Sequence, residues 1–253
     1  MKELDYLIAG LAAVGAGIVN ALAGGGTLIT FPTLTFLGMP SIEANVTNTV
    51  ALCPGYVGGI LAQLKDMRGQ RKRLEFFAGA GIVGGVIGGI LLLHTGERFF
   101  RAIVPFLILL ASGLLAIQNP VKRWLTRRLS ISTKPHRSRV LSTILIGLAA
   151  IYGGYFGAGL SVIVLSVMGL TEEDTLTRLN ASKQAVSLAA NSAVAVYFIF
   201  SSKVLWSVAV VMAVGTLIGG AIGGRFASRI RPDTLRWVIV SIGILVAIIY
   251  FIR

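Results

Sequence analysis

Eight apolar stretches, over residues 6–37, 42–64, 74–94, 99–118, 140–169, 179–200, 204–224 and 235–252, dominate the chain. A helix rises about 1.5 Å per residue, so roughly 20 residues cross the hydrocarbon core of a bilayer, about 30 Å thick. The stretches take up most of the 253 residues and leave no room for an extramembrane domain. With 55% hydrophobic and only 13% charged residues, and a mean hydropathy of +0.83, the chain lies outside the range of soluble domains. A soluble enzyme is excluded. The expected fold is an all-α polytopic membrane protein with eight embedded segments, multi-pass in the cytoplasmic membrane and surrounded by lipid.

The first and fifth stretches are about 30 residues long, too long for a single simple crossing, and glycines interrupt both. The interruptions are Ala23-Gly24-Gly25-Gly26-Thr27 and Gly153-Gly154-Tyr155-Phe156-Gly157-Ala158-Gly159. Each reads as two short helical pieces around a non-helical turn. The two halves also match: Gly24 to Gly26 with Gly157 to Gly159, and Thr47-Asn48-Thr49 with Asn180-Ala181-Ser182, both at an offset of 133 residues. Ile82-Val83-Gly84-Gly85-Val86-Ile87-Gly88-Gly89 matches Leu217-Ile218-Gly219-Gly220-Ala221-Ile222-Gly223-Gly224 at an offset of 135. Such strings bring transmembrane backbones close together, and two-repeat chains recur among secondary transporters. The expected organisation is a first repeat over 1–118, a basic linker over 119–139 and a second repeat over 140–253.

The formal net charge of +13 comes from 23 Lys and Arg against 10 Asp and Glu. In a soluble protein this balance points to nucleic acid, but here nearly all the charges fall in loops, where Lys and Arg set orientation. No nucleic-acid partner is expected. If all eight segments cross, Lys and Arg divide 15 to 7 between the two sides; if the two glycine-broken segments are re-entrant hairpins, they divide 17 to 5. The positive-inside rule prefers the second arrangement, which puts both termini outside and inverts one repeat relative to the other. The first residues lack the basic start and cleavage pattern of a signal peptide, so the first segment is expected to remain in the mature protein.

All ten acids lie at segment ends or in loops. Cation carriers usually need an embedded carboxylate as counter-charge, so the pattern argues against cation chemistry. The one basic residue well inside a stretch is Lys183, in Leu179-Asn180-Ala181-Ser182-Lys183-Gln184. An ammonium there costs about 2.5–3.5 kcal/mol on insertion scales, so it faces protein, water or an anion, or else snorkels to the interface. Thr47, Asn48, Thr49, Asn180 and Ser182 offer hydroxyl and amide groups, suited either to an oxyanion or to bonds between helices. The turns at Gly25, Gly26 and Thr27 and at Gly157 and Gly159 would aim backbone N–H groups and helix N-termini at an anion. These glycines lack the Lys-Ser/Thr of a P-loop, and Cys53, the sole cysteine, reads as a small buried apolar side chain. His94 and His136 lie apart, and neither Ser161 nor Ser182 has an embedded histidine, so neither a metal, a cofactor nor catalysis is expected.

Asn20-Ala21-Leu22-Ala23-Gly24-Gly25-Gly26-Thr27-Leu28-Ile29-Thr30-Phe31-Pro32 and Ala44-Asn45-Val46-Thr47-Asn48-Thr49-Val50-Ala51-Leu52-Cys53-Pro54-Gly55 resemble the first-half signature of the sulfite exporter (TauE/SafE) family. Gly153 to Gly159, then Asn180-Ala181-Ser182-Lys183 and Asn191, resemble its second-half signature. The resemblance spans nearly the whole chain. It implies a permease exporting small sulfur-containing anions, sulfite or organosulfonates, through a site between two related halves. In other members a lysine can follow the Asn of the first-half string, where this chain has Thr49, so the resemblance leaves the charge mainly to Lys183. Export of an anion from a negative interior is favourable by about 2.3 kcal/mol per charge per 100 mV, without a coupling ion.

Overall fold

The computed structural model describes residues 2–22, 24–61, 64–131, 139–172, 174–225 and 232–252. Among them are eleven α-helices and a short 3-10 turn, with no strand. Before the linker come α1 (Glu3–Leu22), α2 (Thr27–Phe36), α3 (Ser41–Leu61), α4 (Arg71–His94) and α5 (Glu97–Ala116). The linker itself folds into α6 (Gln118–Ile131), because Val121 and Leu125 form an apolar edge one turn apart. After it come α7 (Arg139–Tyr155), α8 (Leu160–Thr171), α9 (Leu176–Ile199), α10 (Trp206–Arg225) and α11 (Pro232–Ile252). On either side of α6 the order is therefore one longer helix, one short, then three long. Linker residues 132–138, with His136, lie outside the described residues, as does Ala23.

Four described helices are long and apolar enough to cross a membrane: Glu3–Ala21, Arg73–His94, Glu97–Ala116 and Trp206–Gly223. Their outward faces expose Leu4, Leu11, Phe99, Phe106, Val214 and Leu217, an apolar surface that suits hydrocarbon and not water. The chain is a multi-pass membrane protein. Helices α3 and α9, 21 and 24 residues long, match the apolar ones in length but carry most of the embedded polar groups. They sit at the centre, packed on each other, with α10 against α3 and α4 against α9. At 10 and 12 residues, α2 and α8 extend only about 15 and 18 Å.

Close helix contacts define the path of the chain. A methyl group on Gly84 would strike the Gly147 carbonyl, one on Gly88 the Ile151 carbonyl, and one on Gly154 the Gly85 carbonyl, so α4 and α7 run parallel with backbones touching. The same relation joins α1 and α10, through Gly215 on Gly10, Gly219 on Val14 and Gly223 on Ile18. The glycine strings thus serve close packing. Of the second interruption, Gly153 and Gly154 remain helical inside α7, and the chain leaves the helix only after Tyr155.

Helix α3 also runs parallel to α10, since Thr47 meets Leu205 and Gly55 meets Thr216. Accordingly α1 and α3 start at the same face of the molecule, and α2 brings the chain back to it. On the other side of α6, α9 runs parallel to α4 through Gly81 on Val186, Gly85 on Ala190 and Gly89 on Val194. Hence α7 and α9 both start at the opposite face, where α6 lies. These are called the terminal face and the linker face below. At the terminal face the Glu97 carboxylate caps α3, accepting from the backbone amides of Ser41 and of Ile42, the latter at 3.0 Å. At the linker face Asp174 bridges Arg73 and Arg178, each at 2.9 Å.

Candidate functional site

The chain leaves α1 and α7 in the same way. The Gly24 amide donates to the Val19 carbonyl and the Gly157 amide to the Tyr152 carbonyl, five residues back in each case. Gly24, Gly25, Gly157 and Gly159 have φ of +78°, +97°, +85° and +79°, a left-handed region that side chains with a β-carbon resist. The short helices then restart with matching bonds, Leu28 to Gly25 and Leu160 to Gly157. One difference separates the turns: Gly26, at the start of α2, is right-handed with φ of −55°, whereas Gly159 is left-handed. Side chains hold both in place. The Asn20 carboxamide oxygen accepts from the Gly26 amide at 2.8 Å, and the Tyr152 hydroxyl donates to the Ala158 carbonyl at 2.7 Å.

The turns face one another, so that a methyl on Gly24 would collide with Ser161 Oγ. Between them lies a cavity of about 300 Å³ that reaches from the turns to α6. Of the residues singled out by sequence motif, Gly25, Thr27, Gly157, Gly159, Asn180 and Lys183 line it. Gly26 lies beside it, its amide bonded to Asn20. The others point elsewhere. Thr47 accepts from the Leu205 amide at 3.0 Å, and Thr49 donates to the Asn45 carbonyl at 2.8 Å. Asn48 accepts from Thr30 Oγ1 at 2.5 Å and donates to Thr27 Oγ1 at 3.4 Å, tying α3 to the first turn of α2. Ser182 donates to Gln70 Oε1 at 2.5 Å and accepts from Arg73 Nη2 at 3.1 Å, on the flank of α9 that faces α4.

The sequence motifs did not single out the rest of the α9 face as a unit. Thr177, Asn180, Gln184, Ser187 and Asn191 recur at steps of three and four along one face of α9, with Lys183 beside them, and all line the cavity. A polar stripe at helical spacing inside an apolar stretch was the signal present for them. Asn20, Gln118 and Lys122 carried no such signal, since they come from other helices far apart in sequence.

The cavity is rich in donors. Lys183 is 6% exposed, and among the described residues its ammonium makes no hydrogen bond or ion pair within the chain. Asn20 Nδ2 and Ser187 Oγ are buried without a partner. Leaving a buried polar group unpaired costs about 1–3 kcal/mol, so the three groups together favour an acceptor in the cavity. Among the described lining residues there is no Asp or Glu. Anion chemistry fits this lining.

The family model described as "Sulfite exporter TauE/SafE" matches residues 9–250. A protein of Haemophilus influenzae named "Probable membrane transporter protein" is 28% identical over 242 residues, covering 89% of each chain. "Probable membrane transporter protein YfcA" of Escherichia coli K12 is 26% identical over 230 residues, covering 90% of this chain and 82% of its own. "Probable membrane transporter protein ORF9" of a Sinorhizobium species is 26% identical over 261 residues, 98% and 94% of the two chains. The chain belongs to the TauE/SafE family of membrane transporters.

Proposed function

We propose that this TauE/SafE transporter is a permease that exports a small sulfur-containing anion, sulfite or an organosulfonate, across the cytoplasmic membrane. The observation that carries the reading is the donor-lined cavity itself: Lys183, Asn20 Nδ2 and Ser187 Oγ converge there with no acid among the described lining residues. An oxyanion leaving water there exchanges its hydration for the ammonium, the amide and the hydroxyl. Charge-assisted bonds of this kind are roughly twice as strong as neutral ones. The glycine turns, free of side chains, leave the backbone open to close approach.

In this reading residues 1–118 and 140–253 are inverted repeats joined by the 119–139 linker, with six full crossings and two hairpins that return to the face they entered. The reciprocal packing of α1 on α10 and α7 on α4 supports it, as do the matching hydrogen bonds of the two turns. The loops that this arrangement groups on the linker side carry 17 of the Lys and Arg in the sequence, so the linker face is then cytoplasmic, and the cavity reaches toward it. Release outside requires the terminal face to open, where Thr47 holds Leu205 and Glu97 caps α3. Rocking of one repeat against the other around a central site achieves this.

The test is efflux from proteoliposomes loaded with sulfite, an organosulfonate, sulfate or thiosulfate, together with binding by purified protein. Lys183→Ala is expected to weaken binding of the transported anion by at least about tenfold, in line with loss of a buried charge-assisted contact. Its melting temperature is expected to hold or rise, because an unpaired buried cation is removed. Unchanged affinity in Lys183→Ala would remove the central role assigned here to the lysine, and a protein that moves none of the four anions is no exporter of this kind.

A further inference from the structure

We infer that the cavity continues past Lys183 into a neutral polar subsite, made by Ser187 and Asn191 of α9 with Tyr56 of α3, which takes an uncharged hydrogen-bond-donating tail on the anion; the inference rests on the cavity being the anion site. Helix α9 starts at the linker face, so Lys183, Ser187 and Asn191 lie progressively deeper, toward the terminal face. They follow one another at steps of four residues and stack along one side of the helix. Helix α3 crosses at the deepest of them, where Cys53 Sγ donates to the Asn191 carbonyl at 3.6 Å. Tyr56, nearly one turn further along α3, brings its ring to the cavity lining.

The polarity of this deep end is fixed. Asn191 Nδ2 donates to the Ser187 carbonyl at 2.8 Å, and turning the carboxamide over would set two oxygens against each other. Its Oδ1 is therefore held as an acceptor, and among the described residues nothing donates to it. Ser187 Oγ is buried without a partner, and the Tyr56 hydroxyl makes no hydrogen bond among the described residues. Two hydroxyls and a fixed carboxamide oxygen suit a hydroxyl or an amide N–H, whereas an anionic oxygen is repelled by Oδ1. The negative group therefore goes to Lys183 and the tail to Asn191. An ammonium tail also donates, but among the described lining residues there is no carboxylate to neutralise it. Space agrees with a tail. At about 30 Å³ per water, the cavity of about 300 Å³ has room for roughly ten waters, far more than a three-oxygen anion displaces. Lys183 and Asn191 are eight residues apart, about 12 Å along the helix. With a hydrogen bond of about 2.8 Å at each end, a ligand of roughly 6 Å bridges the two levels, the reach of a three-carbon chain from sulfonate oxygen to terminal hydroxyl.

The experiment measures binding to the full chain in detergent of propane-1-sulfonate, 3-hydroxypropane-1-sulfonate and 3-aminopropane-1-sulfonate, which share a body and differ only at the tail. Wild type is expected to bind the hydroxylated probe about fivefold more tightly than the plain one, the scale of one neutral hydrogen bond, and the amino probe no more tightly than the plain one. Asn191→Leu, which keeps a branched side chain but removes the amide, should bring the hydroxyl preference below about twofold and leave propanesulfonate affinity within about twofold. Ser166→Ala should keep the preference, because that hydroxyl donates to the Val162 carbonyl and does not line the cavity. Equal affinity of wild type for the plain and hydroxylated probes, tighter binding of the amino probe, or a full preference in folded Asn191→Leu would each overturn the inference and leave the proposed function standing. If Asn191→Leu fails to fold, Tyr56→Phe combined with Ser187→Ala decides: a reduced preference supports the subsite, and an undiminished one overturns it. Wild-type protein that binds none of the probes and no sulfite would overturn the anion-site reading and the inference together.

Discussion

Gly157 holds φ of +85°, where a β-carbon costs about 1–2 kcal/mol. Gly157→Ala is therefore expected to lower stability by about that amount, read as a fall in melting temperature in detergent. Gly79, in the middle of α4, has right-handed backbone and open space around its missing β-carbon. Gly79→Ala should be neutral or stabilise by up to about 1 kcal/mol through helix propensity. Equal effects at the two sites would show that the turn does not need its left-handed residue. The same contrast explains what was legible at this scale. Gly24 to Gly26, Gly157 and Gly159 stand out in sequence because they interrupt apolar stretches too long for one crossing, and Lys183 because a charge there is expensive. Thr47, Asn48 and Thr49 stand out equally, yet successive residues of a helix point about 100° apart and cannot all face one cavity. Ser182 is turned away for the same reason, toward Gln70 and Arg73.

At the scale of the helix, the relevant quantity is the distance between backbones. Gly219 of α10 lies on the Val14 carbonyl of α1, and Gly88 of α4 on the Ile151 carbonyl of α7. Valine at either position must push two helices apart, so Gly219→Val and Gly88→Val are each expected to destabilise by about 1–3 kcal/mol or to lower the yield of monodisperse protein. Gly113 of α5 has nothing near its missing β-carbon, and Gly113→Val should be tolerated. Comparable losses in all three would mean that valine acts through helix propensity and not through packing. The glycine strings were readable as close-packing sites, but not their partners, because α1 meets α10 and α4 meets α7 from opposite sides of the linker, far apart in sequence. Helix α6 was readable only as a basic linker. Its two apolar contacts and its cavity face depend on α8 and α9, which no local pattern announces.

For the molecule as a whole, the proposed arrangement makes a prediction about sides. With the basic linker face inside, the start of α1 and the end of α11 would both face outward, and Lys203 between α9 and α10 would share their side. A single cysteine at Arg123, in a Cys53→Ser background, should react only with reagents that enter the cell. One at Lys203 should react with impermeant reagents, and a C-terminal reporter should behave as external. A cytoplasmic C-terminus would reject the hairpin arrangement in favour of eight crossings. The pairing of α1 with α10 has a further consequence in time. Helix α1 emerges from the ribosome first, but the surface that covers Gly10, Val14 and Ile18 is made roughly 200 residues later. At about 5–20 residues per second, α1 waits about 10–40 s before its partner exists. During that interval its small-residue face is open to lipid, to other nascent segments and to insertion factors, so assembly depends on keeping the first helix available until nearly the last has been made.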